Sequence, residues 1–164
     1  MKNLLGKVAL VTGASRYRGL GRAIALRLAA DGPDLVVIGR ARAKDDMPTN
    51  EKEMNWTGVR SLADEIKENG GNAVSVEGDV TQESDVKAIV KSASEVFGKL
   101  DIIVNNAGVP SGAGAAPILD MDSELWYSTV DANLNSVYLV TRHGGRLIRS
   151  AGNGGSITNI SSTA

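Results

Sequence analysis

Thr12-Gly13-Ala14-Ser15-Arg16-Tyr17-Arg18-Gly19-Leu20-Gly21 is the stretch on which the fold turns. It follows a short apolar run, and it opens a segment in which Leu20, Ala23, Ile24 and Leu28 recur at helical spacing. Strand, glycine loop and helix in that order build an anion cradle. Glycines let the backbone turn tightly and approach a pyrophosphate. The helix start adds unpaired N–H groups and the positive end of its dipole. Five residues separate Gly13 from Gly19, which is not the usual dinucleotide spacing. The position of the loop, between the first strand and the first helix, therefore carries more weight than its glycines alone.

Working outward, five apolar runs punctuate the chain, at 8–12, 35–38, 73–76, 102–104 and 156–160. They are continuous and rich in Val and Ile, as strands buried on both faces are. Helical stripes lie between them. The first ends at Gly32-Pro33, a C-cap signal. Val59, Leu62, Ala63 and Ile66 form the second, ended by Gly70-Gly71. The third holds Val86, Ile89, Val90, Ala93, Val96 and Phe97, with Thr81 as its expected N-cap and Glu83 and Asp85 near its start. The fourth runs from about Ser123 towards Ile148, with Leu125, Val130, Leu134 and Val137 on its apolar side. His143-Gly144-Gly145 sits inside it, and a break or bend is expected there. The polar segment 41–56, which contains Pro48, reads as a surface loop. Strand–helix alternation of this kind predicts an α/β fold, a Rossmann-type doubly wound parallel sheet in one domain over 1–164, with strand order 3-2-1-4-5.

Composition narrows the function classes. The 164 residues carry 42% apolar and 23% charged side chains and a formal net charge of −1, so a basic field for nucleic acid or membrane is not expected. With no cysteine there is no disulfide, no thiolate zinc site and no Cys nucleophile. His143 is the single histidine and cannot anchor a multi-histidine site, so no metal is expected. The apolar runs are too short to span a bilayer, and the start lacks the long apolar stretch of a secretory signal. A cytoplasmic location is the default reading.

The end of the second strand bears on the cofactor. An acid about 20 residues past the glycines selects NAD by binding the adenosine ribose hydroxyls. Here Arg40 follows Ile38-Gly39, 19 residues after Gly21. An arginine can pair with a 2′-phosphate, and Arg42 and Arg16 are possible helpers. NADP(H) is therefore favoured over NAD(H).

Further motifs fall at the strand ends: Gly78-Asp79-Val80, Asn105-Asn106-Ala107-Gly108, Asp131-Ala132-Asn133-Leu134 and Asn159-Ile160-Ser161-Ser162. Together with Thr12-Gly13 this set resembles the classical short-chain dehydrogenase/reductase family, over the whole span from Lys7 to Ala164. The resemblance implies roles. Gly13, Ser15, Arg16, Gly19, Leu20 and Gly21 would cradle the cofactor, although the family's glycine loop is two residues shorter. Asp79 would contact the adenine, with Val80 beside the ring. Asn105 would stabilise the central sheet, and Asn106, Ala107 and Gly108 would line the cofactor. Asn133 would hold a water in a proton relay, and Ser162 would bind the substrate oxygen.

The same resemblance implies a tyrosine and, four residues later, a lysine as the acid–base pair, about a dozen residues past the serine. The sequence ends at Ala164. Tyr138 and Arg142 have the spacing but lie on the wrong element, and a buried helix tyrosine is the reading preferred there. The pair is expected beyond Ala164, together with later strands and a helix partner for the fourth helix. The implied activity is hydride transfer between NADP(H) and a carbonyl or secondary alcohol in a homo-oligomer. A non-catalytic dinucleotide-binding or regulatory module is the alternative, and a Rossmann-like methyl transferase is disfavoured. The substrate is not legible, although 109–117 is placed to line part of its pocket.

Overall fold

The computed structural model describes residues 3–109 and 116–161, apart from the Lys44 side chain. Every expected run is a strand: β1 Val8–Val11, β2 Asp34–Gly39, β3 Asn72–Glu77, β4 Ile102–Asn105 and β5 Ser156–Asn159. All pair in parallel, in the order β3-β2-β1-β4-β5. The chain thus winds outward from β1 in both directions. The connections diverge between β1 and β4, which opens a crevice at the carboxyl ends of these strands.

Helices cover both faces of the sheet. They are α1 Leu20–Asp31, α2 Thr49–Glu53, α3 Val59–Glu68, α4 Glu83–Phe97, α5 Ser123–Val130 and α6 Ser136–Ser150. The twofold period of a strand divides β1 between two cores. Ala9 and Val11 join Leu35, Val37, Leu62 and Ile66 under α1 and α3. Val8 and Leu10 join Val36, Ile38, Ile89 and Ile103 under α4 and α6. Each large aliphatic side chain buried this way contributes about 1.5–3 kcal/mol. Gly32 ends α1 as expected, at φ +97°, with its N–H donating to the Ala29 carbonyl.

Four local expectations are corrected. The segment 41–56 is not merely a surface loop. It carries a 3-10 turn, Lys44–Asp46, and α2, and it buries Glu51 and Trp56. Thr81 does not cap α4. The N-cap is Gln82, without a side-chain bond, and the Thr81 hydroxyl donates to Asp79 instead. β5 is not buried on both faces but lies exposed along the sheet edge, with Ile157 40% accessible.

The fourth helix is interrupted at a different place. A π-turn, Asp131–Asn135, separates α5 from α6, while α6 runs unbroken through Gly144 and Gly145. A glycine suits position 144 because the sheet comes close: a Cβ there would stand 2.7 Å from Ile103 Cδ1. Gly145 has no such neighbour; its Cβ would meet only Ile157 Cδ1, at 3.9 Å. We expect Gly145→Ala to raise stability by about 0.5–1 kcal/mol, the helix-propensity gain. Gly144→Ala should lower it by about 1–3 kcal/mol through overpacking. Thermal melts of the two variants check the opposite signs.

Asp101 ties β1 to β4 at the other end of the sheet. Its buried carboxylate accepts from the Val8 N–H at 2.9 Å, from Lys7 Nζ at 3.1 Å and from Lys99 Nζ at 3.0 Å. Burial pushes this carboxyl up; Lys99, the Val8 N–H and Lys7 outweigh it and hold the group below the usual carboxylate range. The folded form therefore binds this proton less readily than the unfolded chain. The stability it confers is complete above about pH 4 and is lost as pH falls through the depressed folded value. Asp101→Asn should cost about 1–2 kcal/mol near neutral pH, by removing the buried charge that draws in the Val8 N–H and the two lysines. It should also flatten the acid limb of Tm against pH; an unchanged limb would contradict the assignment.

Candidate functional site

The carboxyl ends of the strands gather nearly every residue named from the sequence. At the end of β1 the chain turns through Gly13, at φ +68°. A side chain there would strike the Ala107 backbone at 2.7 Å. The loop after β4 is stitched to the same turn. Thr12 Oγ1 accepts from the Asn106 and Ala107 N–H groups, each at 3.0 Å. Asn106 Nδ2 donates to the carbonyls of Thr12 and Gly13, at 3.0 and 3.1 Å. A Cβ on Gly21 would lie 2.5 Å from the Gly13 carbonyl oxygen and 2.7 Å from Asn106 Nδ2. The glycines thus serve two contacts at once: they allow a backbone to approach from outside, and they let the two loops close on each other.

Helix α1 begins at this point. Its N-cap is Gly19, and no side chain caps it. The first-turn N–H groups, with Leu20 and Gly21 leading, remain available to an anion. Leu20 is 56% exposed beside them. A pyrophosphate fits such a place by charge and by backbone clearance. The observation is one of donors and space.

On the β2 side, Ser15 reaches Gly39 and Arg40. Ser15 Oγ donates to the Arg40 carbonyl at 3.4 Å. The Arg40 side chain is 71% exposed, and Nη1 lies 3.6 Å from Asp79 Oδ2. Asp79 is further held by Thr81, whose N–H and hydroxyl both donate to Oδ1. The next residue, Val80, is 8% exposed and belongs to the core under α4. Arg40 and Asp79 therefore flank one corner of the crevice, the corner where an adenosine is expected.

Asn105 ends β4. Its Nδ2 donates to Thr141 Oγ1 at 3.1 Å and to Asn159 Oδ1 at 2.8 Å, so it binds α6 and β5 to the central strand. Its Oδ1 is buried with no partner among the described residues. Asn133 sits in the π-turn, the kind of helix defect that often marks a functional site. Its Oδ1 accepts from the Val109 N–H at 3.2 Å, and its Nδ2 donates to the Thr129 carbonyl. A Cβ on Gly108 would come within 2.5 Å of Asn133 Oδ1. The widened turn thus carries an amide directly onto the loop after β4.

Ser162 and positions 110–115 of the expected pocket wall lie outside the described residues. Tyr138 is not buried: it is 55% exposed, and its hydroxyl accepts from Arg142 Nη1 at 2.7 Å. The preferred reading of it as a buried tyrosine is corrected; it lies on α6, as the sequence placed it.

The residues missed from the sequence lie in 41–56. Trp56 Nε1 donates to the Ser15 carbonyl at 2.8 Å, and its ring meets Tyr17 edge-on at 5.2 Å. Glu51 Oε1 accepts from the Tyr17 N–H at 2.9 Å. Arg22 stacks over Tyr17 and pairs with Glu65. The lengthened glycine loop is therefore buttressed by the segment after β2. The signal was present in Trp56, a large apolar residue at the end of a polar stretch, which needed a core to enter.

Parallel sheet, switch point, glycine turn and uncapped α1 together define a dinucleotide-binding α/β domain. The comparisons narrow this class. The family profile described as short chain dehydrogenase matches residues 7–164, and the chain belongs to that family. It is 37% identical to an L-rhamnose 1-dehydrogenase (NAD(P)(+)) of Azotobacter vinelandii, over 97% of this chain and 56% of that one. A metagenomic short-chain oxidoreductase solved in complex with NADP superposes with a TM-score of 0.80 at 33% identity, covering 99% of this chain and 65% of that one. Carveol dehydrogenase from Mycobacterium avium, in complex with NAD, gives a TM-score of 0.82 at 32% identity, over 98% and 56%. The chain spans little more than half the length of the curated relatives it matches.

Proposed function

We propose that this protein is an oxidoreductase that moves a hydride between NADP(H) and a carbonyl or secondary alcohol. The observation that supports it most is the convergence of the glycine loop, Arg40, Asp79, Asn106 to Gly108 and Asn133 on one crevice. When bound, the nicotinamide supplies or accepts the hydride. The residues of this chain do the rest. The α1 amides and the glycine turn bind the pyrophosphate, and Arg40 binds the 2′-phosphate. Asp79 takes the adenine edge, and Asn106 holds the two loops in register. Asn133 positions the loop around Gly108 and anchors a water for proton transfer. Ser162 binds the substrate oxygen.

The choice of NADP(H) rests on Arg40, since one neighbour was solved with NADP and another with NAD. We extend the proposal to a cytoplasmic homo-oligomer acting on a small molecule. Tyr127, Leu134 and Tyr138 leave an open apolar side along α5, the π-turn and α6. Among the described residues no helix is long and apolar enough to cross a membrane. The test is fluorescence titration of the full-length gene product with NADPH and NADH, followed by turnover on a panel of carbonyls and alcohols. Binding with turnover supports the reading. Binding without turnover on any of them supports a regulatory module instead, and absence of binding sinks both.

A further inference from the structure

Glu51 is a carboxylate held inside the protein by the segment after β2, with a side chain only 2% exposed. Three groups of the glycine-loop region converge on it. The Tyr17 N–H donates to Oε1, Arg42 Nη2 donates to Oε2 at 2.5 Å, and Arg16 Nε stands 3.6 Å from Oε1. Arg42 is itself largely buried, and its Nη2 also donates to the Ser15 carbonyl at 3.2 Å. Its other terminal nitrogen, Nη1, is buried with no hydrogen-bond partner among the described residues.

Three arginines surround this corner of the crevice: Arg16, Arg40 and Arg42. One carboxylate from the segment after β2 engages two of them. Arg40 is left pointing outward, with Asp79 at 3.6 Å. Arg42 stays inward although one of its donors is unmet, an arrangement that costs free energy and that the Glu51 charge, with the Ser15 carbonyl beside it, offsets. Without that charge, a guanidinium with an unmet donor turns to the nearest anion. Arg42 donates to the Ser15 carbonyl and Ser15 Oγ to the Arg40 backbone carbonyl, so Arg42 lies at the end of β2, and that anion would be a 2′-phosphate bound there.

We infer that Glu51 sets the cofactor selectivity of this site: it holds Arg42 and Arg16 away from the 2′-phosphate and leaves Arg40 alone to recognise it. Glu51 is a positioning residue, acting through Arg42. The inference rests on the dinucleotide reading of the crevice. It differs from a plain scaffolding role because it requires the ratio of NADPH to NADH affinity to move, and not merely both affinities together.

The experiment measures Kd for NADPH and for NADH, by fluorescence titration at fixed ionic strength, in the full-length protein and its Glu51→Gln, Arg42→Met and double variants. Glutamine still accepts the Tyr17 N–H, so Glu51→Gln keeps the loop and removes the charge. It is expected to shift the ratio about five- to tenfold towards NADPH and to steepen the salt dependence of NADPH binding. Arg42→Met leaves the Glu51 charge without its closest partner and should move the ratio the other way. In the double variant the gain from Glu51→Gln should vanish. Equal changes for both cofactors in the single variants, or a gain that persists in the double variant, overturn the inference. If Glu51→Gln does not fold, Arg42→Met decides alone, and an unmoved ratio overturns it. A parent protein that binds neither dinucleotide overturns the reading of the site and this inference with it; one that binds with a ratio the variants leave unmoved overturns the inference only.

Discussion

Gly21→Ala is expected to lose dinucleotide binding by more than about 100-fold while the protein still folds. One methyl group is enough because both of its neighbours are fixed. The added carbon would sit 2.5 Å from the Gly13 carbonyl oxygen and 2.9 Å from its carbon, which are backbone atoms of the tight turn. It would also lie 2.7 Å from Asn106 Nδ2. The turn cannot retreat on its other side, because the Ala107 backbone already fills the space where a Gly13 side chain would be. The added methyl is relieved by rupture of the Asn106 bond to the Gly13 carbonyl, which separates the loops after β1 and β4. Alanine returns up to about 1 kcal/mol of helix propensity at the start of α1, so the net loss of stability should be about 1–3 kcal/mol. Circular dichroism should therefore show a folded protein with a lowered Tm, and NADPH titration should show almost no binding. A variant that binds normally would mean that the two loops are not coupled as the geometry requires.

The fold was legible because its signals are local and repeated. Strands buried in a parallel sheet read as unbroken Val and Ile runs, and helices as stripes, so the runs around Leu10, Val36, Val74, Ile103 and Ile157 were all found. What failed depended on tertiary neighbours. The helix runs on through Gly144, where a glycine answers the close approach of Ile103 and Leu100 rather than marking a break. The π-turn at Asp131–Asn135 was invisible, since nothing in Asp-Ala-Asn-Leu-Asn marks an extra residue per turn. Segment 41–56 misled for a third reason. Its polar residues suggested solvent, whereas Glu51 and Arg42 enter the protein as partners, and pairing is not encoded in hydropathy. Within the site, the glycines, Asp79 and the Asn105 to Gly108 run followed from motif and position. The dependence of the long glycine loop on Trp56 and Glu51 needed coordinates.

Arg40→Asp is the second large effect, and it separates cofactor choice from cofactor binding. Arg40 is 71% exposed, so solvent screens it and its contribution stays well below that of a buried pair. A charge reversal beside a phosphate is nevertheless worth about 1.5–3 kcal/mol even when screened, or roughly 10- to 100-fold in affinity. NADPH should weaken by that factor. NADH should hold or gain, because an aspartate at the end of β2 can accept from the ribose hydroxyls. The substitution has a second consequence that must be controlled. It removes the ion pair with Asp79 and places a second carboxylate at a corner already occupied by one. Arg40→Ser is the control, since it removes the positive charge without adding a negative one. It should weaken NADPH and leave NADH nearly unchanged, whereas disruption of Asp79 would weaken both. Titration of the three proteins with both cofactors, repeated at high salt, completes the test: the NADPH preference of the parent should fall with ionic strength, and that of Arg40→Ser should not. A parent that favours NADPH no more than Arg40→Ser does would show that Arg40 is a solvated surface arginine, and the selectivity assigned to this corner would then have to be withdrawn.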